Sequence, residues 1–171
     1  MGASVAGRGD LGGAQIVSSH DHAYTVTCEW HGSTGTGYDA YDRTHRGAAP
    51  PAAAVLDLAS DPAFRGDPRL LNPEQLVVLA ASSCQLLSFL AVAARARIDV
   101  VDYADEASGV MPEDPQPMRI TRIELRPRIT VRGSATEERL THLCDVAHHE
   151  CFIANTLTTE ITVTPTFMLV P

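Results

Sequence analysis

The sequence predicts an α+β domain in which antiparallel sheets wrap around two central helices. Three observations support this fold class. Residues 24–30 alternate between apolar and polar side chains, as a half-buried strand does. Residues 72–97 form a long apolar segment with a helix-start signature. Further strand patterns lie on both sides of a second helical segment, and this order of elements is typical of an α+β domain.

Length and composition indicate one domain with small-molecule or protein partners. The chain has 171 residues, enough to bury a real core. We expect residues 1–20, which lack apolar periodicity, to form a disordered or loosely ordered tail, and residues 21–171 to form the domain. The formal net charge of −8 disfavours nucleic acid and anionic membranes as partners, because both would repel the chain. The chain has no lysine, which excludes Schiff-base chemistry by a lysine amine.

Short strands are predicted before the long helix. In residues 24–30 the apolar face includes Cys28, which is therefore predicted to be a small core residue. In residues 40–45 the alternation places Tyr41 and Arg43 on one face of a second strand. A Gly- and Pro-rich excursion follows, with one short strand expected within residues 54–58.

The long helix is predicted to begin at Asn72 and to end near Arg97. Asn72 can cap free amides, Pro73 suits the first turn, and Glu74 places an acid against the helix dipole. Residues 76–94 are apolar enough to be weighed as a membrane span, but polar residues interrupt their middle, which favours a buried core helix. Such a helix needs cover on all faces, so we predict a homodimer in which the helices are shared.

The second half of the chain is predicted to contain two long strands, at residues 98–111 and 119–132. Pro127 lacks a backbone N–H and indicates an edge strand or a bulge. A capping box from Ser134 to Glu137 predicts a second helix that ends near residue 149, before a closing strand around residues 160–164. In the strand at residues 119–132, the side chains predicted to face inward are Ile123, Leu125, Ile129 and Val131.

The four cysteines are Cys28, Cys84, Cys144 and Cys151. The N-terminus lacks the layout of a secretory signal, so we expect a cytoplasmic, reducing compartment in which permanent disulfides are rare. Cys84 lies in the middle of the apolar helix, beyond the reach of the dipole at the first turn, so a thiolate there would need another cation. Taken alone, Cys84 resembles a buried and inert cysteine more than a catalyst.

A metal site is a rival interpretation of the second helix. Cys144 and His148 share a helix face, and His149 and Cys151 are close in sequence. His149 would point about 100° away from His148, so one ion could gather all four ligands only if the helix ended between them. A polar helix end, with histidines that match the dipole, is the simpler interpretation.

Two segments resemble the OsmC/Ohr family of osmotically induced and organic hydroperoxide resistance proteins. Residues 72–76 followed by residues 81–84 resemble the helix start and the peroxidatic cysteine of that family. Residues 147–157 resemble its second-cysteine motif, and the resemblance as a whole covers roughly residues 24–165.

Other positions refine the resemblance. The spacing of Tyr41, Arg43 and His45 and the loop at residues 61–68 resemble one OsmC-like branch. Gln85 departs from the family, in which an apolar or aromatic residue is expected after the cysteine. The substrate preference is therefore left open.

The resemblance implies a thiol-dependent peroxidase in which Cys84 attacks an organic hydroperoxide and Cys151 resolves the oxidised sulfur as a disulfide. It implies Arg43 as the cation that favours the thiolate, and Glu74 as the acid that holds Arg43 in a bidentate pair. A dithiol such as dihydrolipoamide or a lipoylated protein is the implied reductant. No metal, flavin or nucleotide cofactor is expected.

Helix geometry constrains how Glu74 could serve Cys84. The two residues are ten positions apart, which separates their backbones by roughly 15 Å along a continuous helix. A glutamate side chain cannot span that distance, and no helix breaker lies between them. We therefore predict that Glu74 completes the Cys84 site of the other chain in the dimer.

A non-enzymatic redox sensor or binding protein with a poorly reactive Cys84 is the alternative function on the same fold. Turnover of an alkyl hydroperoxide with dihydrolipoamide separates the two hypotheses. Tyr41, Tyr103 or Phe152 could line an apolar pocket for an alkyl chain, although aromatic residues are commoner in cores than in sites.

Overall fold

The computed structural model describes residues 21–171, so the prediction for residues 1–20 lies outside the described residues. The described part contains nine strands and three α-helices. They are β1 (Thr27–Glu29), β2 (His45–Ala48), β3 (Val55–Leu58), α1 (Pro73–Arg95), β4 (Asp99–Asp105), β5 (Ser108–Val110), β6 (Arg122–Leu125), β7 (Pro127–Arg132), α2 (Glu137–Glu150), α3 (Phe152–Thr156), β8 (Glu160–Val163) and β9 (Thr166–Val170).

The start of α1 follows the predicted capping chemistry. The Asn72 side chain accepts a hydrogen bond from the Gln75 backbone N–H at 2.8 Å, and the Gln75 side chain accepts one from the Asn72 N–H at 3.1 Å. This reciprocal box satisfies two amides that a helix start otherwise leaves free. The helix is continuous from Pro73 to Arg95 and ends two residues earlier than predicted.

The first sheet is antiparallel, in the order β1-β2-β3, and corrects two predictions. The predicted second strand at residues 40–45 is wrong, because β2 begins only at His45. Tyr41 and Arg43 lie in the preceding loop, where the Tyr41 carbonyl accepts from the Arg43 side chain instead of from a neighbouring strand. Cys28 is exposed on β1 and is not a core residue in this chain.

The other two sheets are mixed, which corrects the expectation of purely antiparallel sheets. Their orders are β4-β7-β9 and β5-β6-β8, and in each the last pair is parallel. Each of the two long strands predicted in this region is divided between these sheets. Arg126 lies at the division, where its backbone N–H donates to Asp105 Oδ1 at 2.7 Å and its side chain donates to Ser108 Oγ at 3.2 Å. Pro127 opens the central strand β7, so the prediction of an edge position is wrong.

The second helix begins two residues later than its predicted capping box. Thr136 is the N-cap, and its hydroxyl accepts from the Arg139 N–H at 3.2 Å. The helix ends at Glu150, close to the predicted end. The closing strand is confirmed as β8, whereas the short helix α3 and the last strand β9 were not predicted.

The core lies between α1, α2 and the two mixed sheets. Phe89 in the second half of α1 packs with Leu140 of α2 and Val131 of β7, and Ala81 in the first half packs with Ile123 of β6. The four apolar residues predicted to face inward from β6 and β7 are all buried, which confirms the predicted alternation.

One face of α1 is left uncovered by residues 21–171 of the single chain. Leu79, Leu87 and Leu90 are exposed on this face. By length and composition alone, α1 is long and apolar enough to cross a membrane. Only 28% of the most apolar 18-residue stretch of α1 is buried. The other face packs on α2 and the mixed sheets, as a core helix does.

Candidate active site

The structure places the side chains of Cys84 and Cys151 next to each other. Cys84 is half-buried in the middle of α1, and Cys151 is buried at the junction of α2 and α3. The two sulfurs accept hydrogen bonds from the N–H groups of the consecutive residues Ile153 and Ala154, so they lie on the same side of the start of α3. Two sulfurs that are distant in sequence are therefore neighbours in a reduced state, as dithiol chemistry requires.

Backbone amides of α3 point at both sulfurs. The Ile153 N–H donates to Cys84 Sγ and the Ala154 N–H donates to Cys151 Sγ, each at 3.5 Å. Such donors stabilise negative charge on the acceptor. Ile153 and Ala154 were not singled out from the sequence, because any residue except proline can supply a backbone N–H.

The junction that carries Cys151 is held by further hydrogen bonds. The Cys151 N–H donates to the His148 carbonyl at 3.2 Å. Asn155 Nδ2 donates to the His149 carbonyl at 2.9 Å and to the Cys151 carbonyl at 3.0 Å. This side chain thus satisfies carbonyls that the end of α2 leaves free. Asn155 lies within the second-cysteine motif, which was the one available signal for it.

Burial raises the pKa of the Cys151 thiol to about 11, and the neighbouring Cys84 side chain adds to the rise. The amides of Ala154 and Ile153 oppose this shift without cancelling it. Burial likewise raises the pKa of Cys144 to about 12. Cys151 and Cys144 are therefore protonated thiols near neutral pH.

Gln85 occupies a buried position between α1 and α2. Its Nε2 donates to the Cys144 carbonyl at 3.3 Å, so a polar bridge joins the helices one residue after Cys84. Tyr103, one of the aromatic residues predicted to line a pocket, is half-buried. Its ring centroid lies 6.1 Å from that of the core residue Phe89. Phe152, next to Cys151, is 80% exposed.

Arg43 lies on the loop before β2, and its guanidinium contacts Tyr38 and Tyr41. Within residues 21–171 of one chain it makes no hydrogen bond to either thiol of the cysteine pair. Tyr41 and Arg43 do not share a strand face, but the Arg43 guanidinium stacks on the Tyr41 ring within the loop.

Glu74 lies in the first turn of α1, at the wall of a cavity of about 980 Å³. Because α1 is continuous, Glu74 stays roughly 15 Å along the helix axis from Cys84. On the same wall Ser82 donates to Asp105 Oδ2 at 2.5 Å. One chain therefore brings together Cys84 and Cys151 but leaves Glu74 apart from them.

The metal site considered for the second helix is not formed in the described residues. Among residues 21–171 no group of three or more His, Cys, Asp or Glu side chains is arranged to hold a metal ion. Cys144 instead belongs to the buried core with Phe89 and Leu140.

The exposures and the raised pKa of Cys151 predict selective alkylation. In the reduced protein at pH 8, iodoacetamide should label Cys84 at least about tenfold faster than Cys151, since a thiol of pKa near 11 has only about one thiolate per thousand molecules there. Labelling of Cys151 should increase as the pH rises toward 11. Mass spectrometry of tryptic peptides measures both rates, with exposed Cys28 and urea-denatured protein as controls. Equal labelling of Cys84 and Cys151 in the folded protein would contradict this assignment.

Comparisons with known proteins identify the family and the fold of this chain. A family model described as OsmC-like protein matches residues 66–166. An OsmC-like protein of unknown function from Vibrio cholerae is 25% identical, with a TM-score of 0.78 over 85% of this chain and 100% of that chain. An organic hydroperoxide resistance protein from Elizabethkingia anophelis is 17% identical, with a TM-score of 0.66 over 90% and 100% of the two chains.

OhrB, the organic hydroperoxide resistance protein of Bacillus subtilis, is 16% identical, with a TM-score of 0.56 over 86% of this chain and 98% of that chain. No curated protein matches the chain. The matched residues 66–166 include Glu74, Cys84 and Cys151, whereas Arg43 lies before them. The chain belongs to the OsmC/Ohr family of OsmC-like proteins.

Proposed function

We propose that this chain is a thiol-dependent peroxidase that reduces organic hydroperoxides with Cys84 and Cys151. The observation that carries the proposal is the proximity of these two thiols, which accept from the N–H groups of the consecutive residues Ile153 and Ala154. The organic hydroperoxide resistance proteins among the structural neighbours support the kind of substrate. Exposed Leu87, one turn after Cys84, and exposed Phe152 offer apolar surface to an alkyl group.

The proposed reaction has two oxidative steps. The Cys84 thiolate attacks the distal oxygen of the hydroperoxide, an S–O bond forms, the O–O bond breaks, and the alkoxide takes up a proton and leaves as an alcohol. The Cys151 sulfur then attacks the Cys84 sulfenic acid, an S–S bond forms, and the hydroxyl leaves with the Cys151 proton as water. Cys84 is the attacking residue because it is the more accessible sulfur.

A dithiol completes the proposed cycle. Two thiols of dihydrolipoamide, or of a lipoylated protein, reduce the disulfide and become a cyclic disulfide themselves. A cytoplasmic location would supply such a reductant and keep Cys28 and Cys144 reduced. The oxidant, the reductant and the protein together balance the reaction without a metal, flavin or nucleotide.

The remaining site residues support a homodimer with shared sites. The segment before β1 exposes Tyr24 and Val26, β3 exposes Val55, and α1 exposes Leu79 and Leu87, so two apolar surfaces lack cover within the described residues of one chain. Packing these surfaces against a second copy would bury them. In that arrangement Arg43 and Glu74 complete the cysteine site across the interface, in an intertwined dimer.

Treatment of the reduced protein with one equivalent of cumene hydroperoxide should form an intramolecular Cys84–Cys151 disulfide, because the thiols are already adjacent. Non-reducing peptide mapping locates the bond. The Cys151→Ser variant should stop at the sulfenic acid, which a dimedone label detects. A disulfide through Cys28 or Cys144, or sulfonic acid at Cys84 with Cys151 still reduced, would refute the assigned pair.

Turnover tests the enzymatic role itself. With excess dihydrolipoamide, the wild-type protein should reduce cumene hydroperoxide catalytically, and Cys84→Ser should lose at least about 100-fold of kcat/KM because the nucleophile is gone. Cys144→Ser is the matched control for loss of a buried thiol outside the pair. Formation of the disulfide without turnover would instead indicate a redox sensor.

Mixed dimers test the shared site. A Cys84→Ser chain combined with a Glu74→Gln chain should regain one intact site if Glu74 serves the other chain, because the second chain supplies Cys84 and the first supplies Glu74. Activity of the tag-purified mixed dimer is compared with both parent homodimers. If that activity does not exceed the activity of the Glu74→Gln homodimer, Glu74 does not act across the interface.

A further inference from the structure

The guanidinium of Arg43 is held by two tyrosines on the same loop. Nη1 donates to the Tyr41 carbonyl at 2.7 Å and Nη2 donates to the Tyr38 carbonyl at 2.5 Å. The guanidinium carbon lies 3.9 Å from the centroid of the Tyr41 ring and 4.9 Å from that of the Tyr38 ring. Each tyrosine therefore supplies both a carbonyl acceptor and an aromatic face.

The rings are themselves fixed by their neighbours. Tyr38 and Tyr41 meet edge to face with centroids 6.4 Å apart, and Trp30 meets Tyr41 at 6.3 Å in the same manner. Trp30 Nε1 donates to the Asp42 carbonyl at 2.7 Å, and the Asp42 carboxylate accepts from the Thr44 N–H at 2.9 Å. The loop thus holds its shape through contacts within itself.

This arrangement differs from that of an ordinary surface arginine. The other arginines that make side-chain contacts in the described residues mostly pair with carboxylates, as Arg128 does with Glu106 and Arg132 with Asp99. Arg43 is held by neutral groups and forms no salt bridge with a carboxylate within residues 21–171. Its other N–H groups remain available to a negatively charged sulfur or a peroxide oxygen.

We propose that Tyr38 and Tyr41 are positioning residues that hold the Arg43 guanidinium in one orientation for the Cys84 thiolate. The proposal rests on the role of Arg43 in the proposed function. Arginine has a long side chain with many rotamers, and a cation held in place before the substrate binds loses less freedom when it acts. Stacking on two rings and bonding to two carbonyls supplies that restraint within one chain.

The test compares Tyr41→Leu with Tyr41→Phe. Both variants keep the backbone carbonyl, but only phenylalanine keeps the aromatic face beneath the cation. We expect Tyr41→Leu to move the pH profile of Cys84 alkylation to higher pH and to lower kcat/KM for cumene hydroperoxide by roughly three- to tenfold. Tyr41→Phe should retain the wild-type profile, because the tyrosine hydroxyl has no part in the proposed contact.

Arg43→Met separates failure of this proposal from failure of the proposed function. If Arg43→Met shifts the alkylation profile and Tyr41→Leu does not, the tyrosine contact is refuted while the role of Arg43 stands. If neither variant shifts the profile, the role of Arg43 in the proposed function fails as well. The pair Tyr38→Leu and Tyr38→Phe repeats the comparison on the second ring should Tyr41→Leu not fold, which circular dichroism reports.

Discussion

The packing of α1 against α2 is the constraint on which the site depends. Phe89 of α1 is buried against Leu140 and Ala147 of α2, and Gln85 bridges the two helices through the Cys144 carbonyl. This contact brings the end of α2 to the middle of α1, where Cys84 meets Cys151. A change in the angle or register of the two helices would separate the sulfurs, even though neither sulfur takes part in the packing core around Phe89.

Local chemistry made much of the fold predictable. The cap at Asn72, the alternation around Ile123 and Val131, and the extent of α1 depend on neighbours within a few residues, so the sequence pattern displays them. The division of the strands at Arg126 was not visible, because it depends on a hydrogen bond to Asp105 from a different element. The parallel pairing of β8 with β6 and of β9 with β7 spans long sequence separations and has no local signal either, although β8 itself was predicted as a strand.

The sequence likewise predicted some features of the candidate site and not others. The proximity of Cys84 and Cys151 was expected only from the family resemblance, since spacing alone left Cys84 as a plausible inert core residue. The strand expected around Arg43 was wrong. These residues form a loop in which the Arg43 side chain donates to the carbonyls of Tyr38 and Tyr41, and strand periodicity does not reveal such contacts. The amides of Ile153 and Ala154 have no residue-type signature at all.

The short helix α3 links sulfur chemistry to backbone structure. It has five residues, and its first amides use the two sulfurs as acceptors. A sulfur that is oxidised or enters a disulfide changes its geometry and its capacity to accept, so these amides must find other partners or be exposed to water. If the proposed disulfide forms, we therefore expect the hydrogen bonding of residues 152–156 to differ between the reduced and the oxidised protein. Phe152, which is exposed to solvent, lies on this segment. A reducing partner that binds this segment would then bind the oxidised and the reduced protein differently, without contacting the sulfurs themselves.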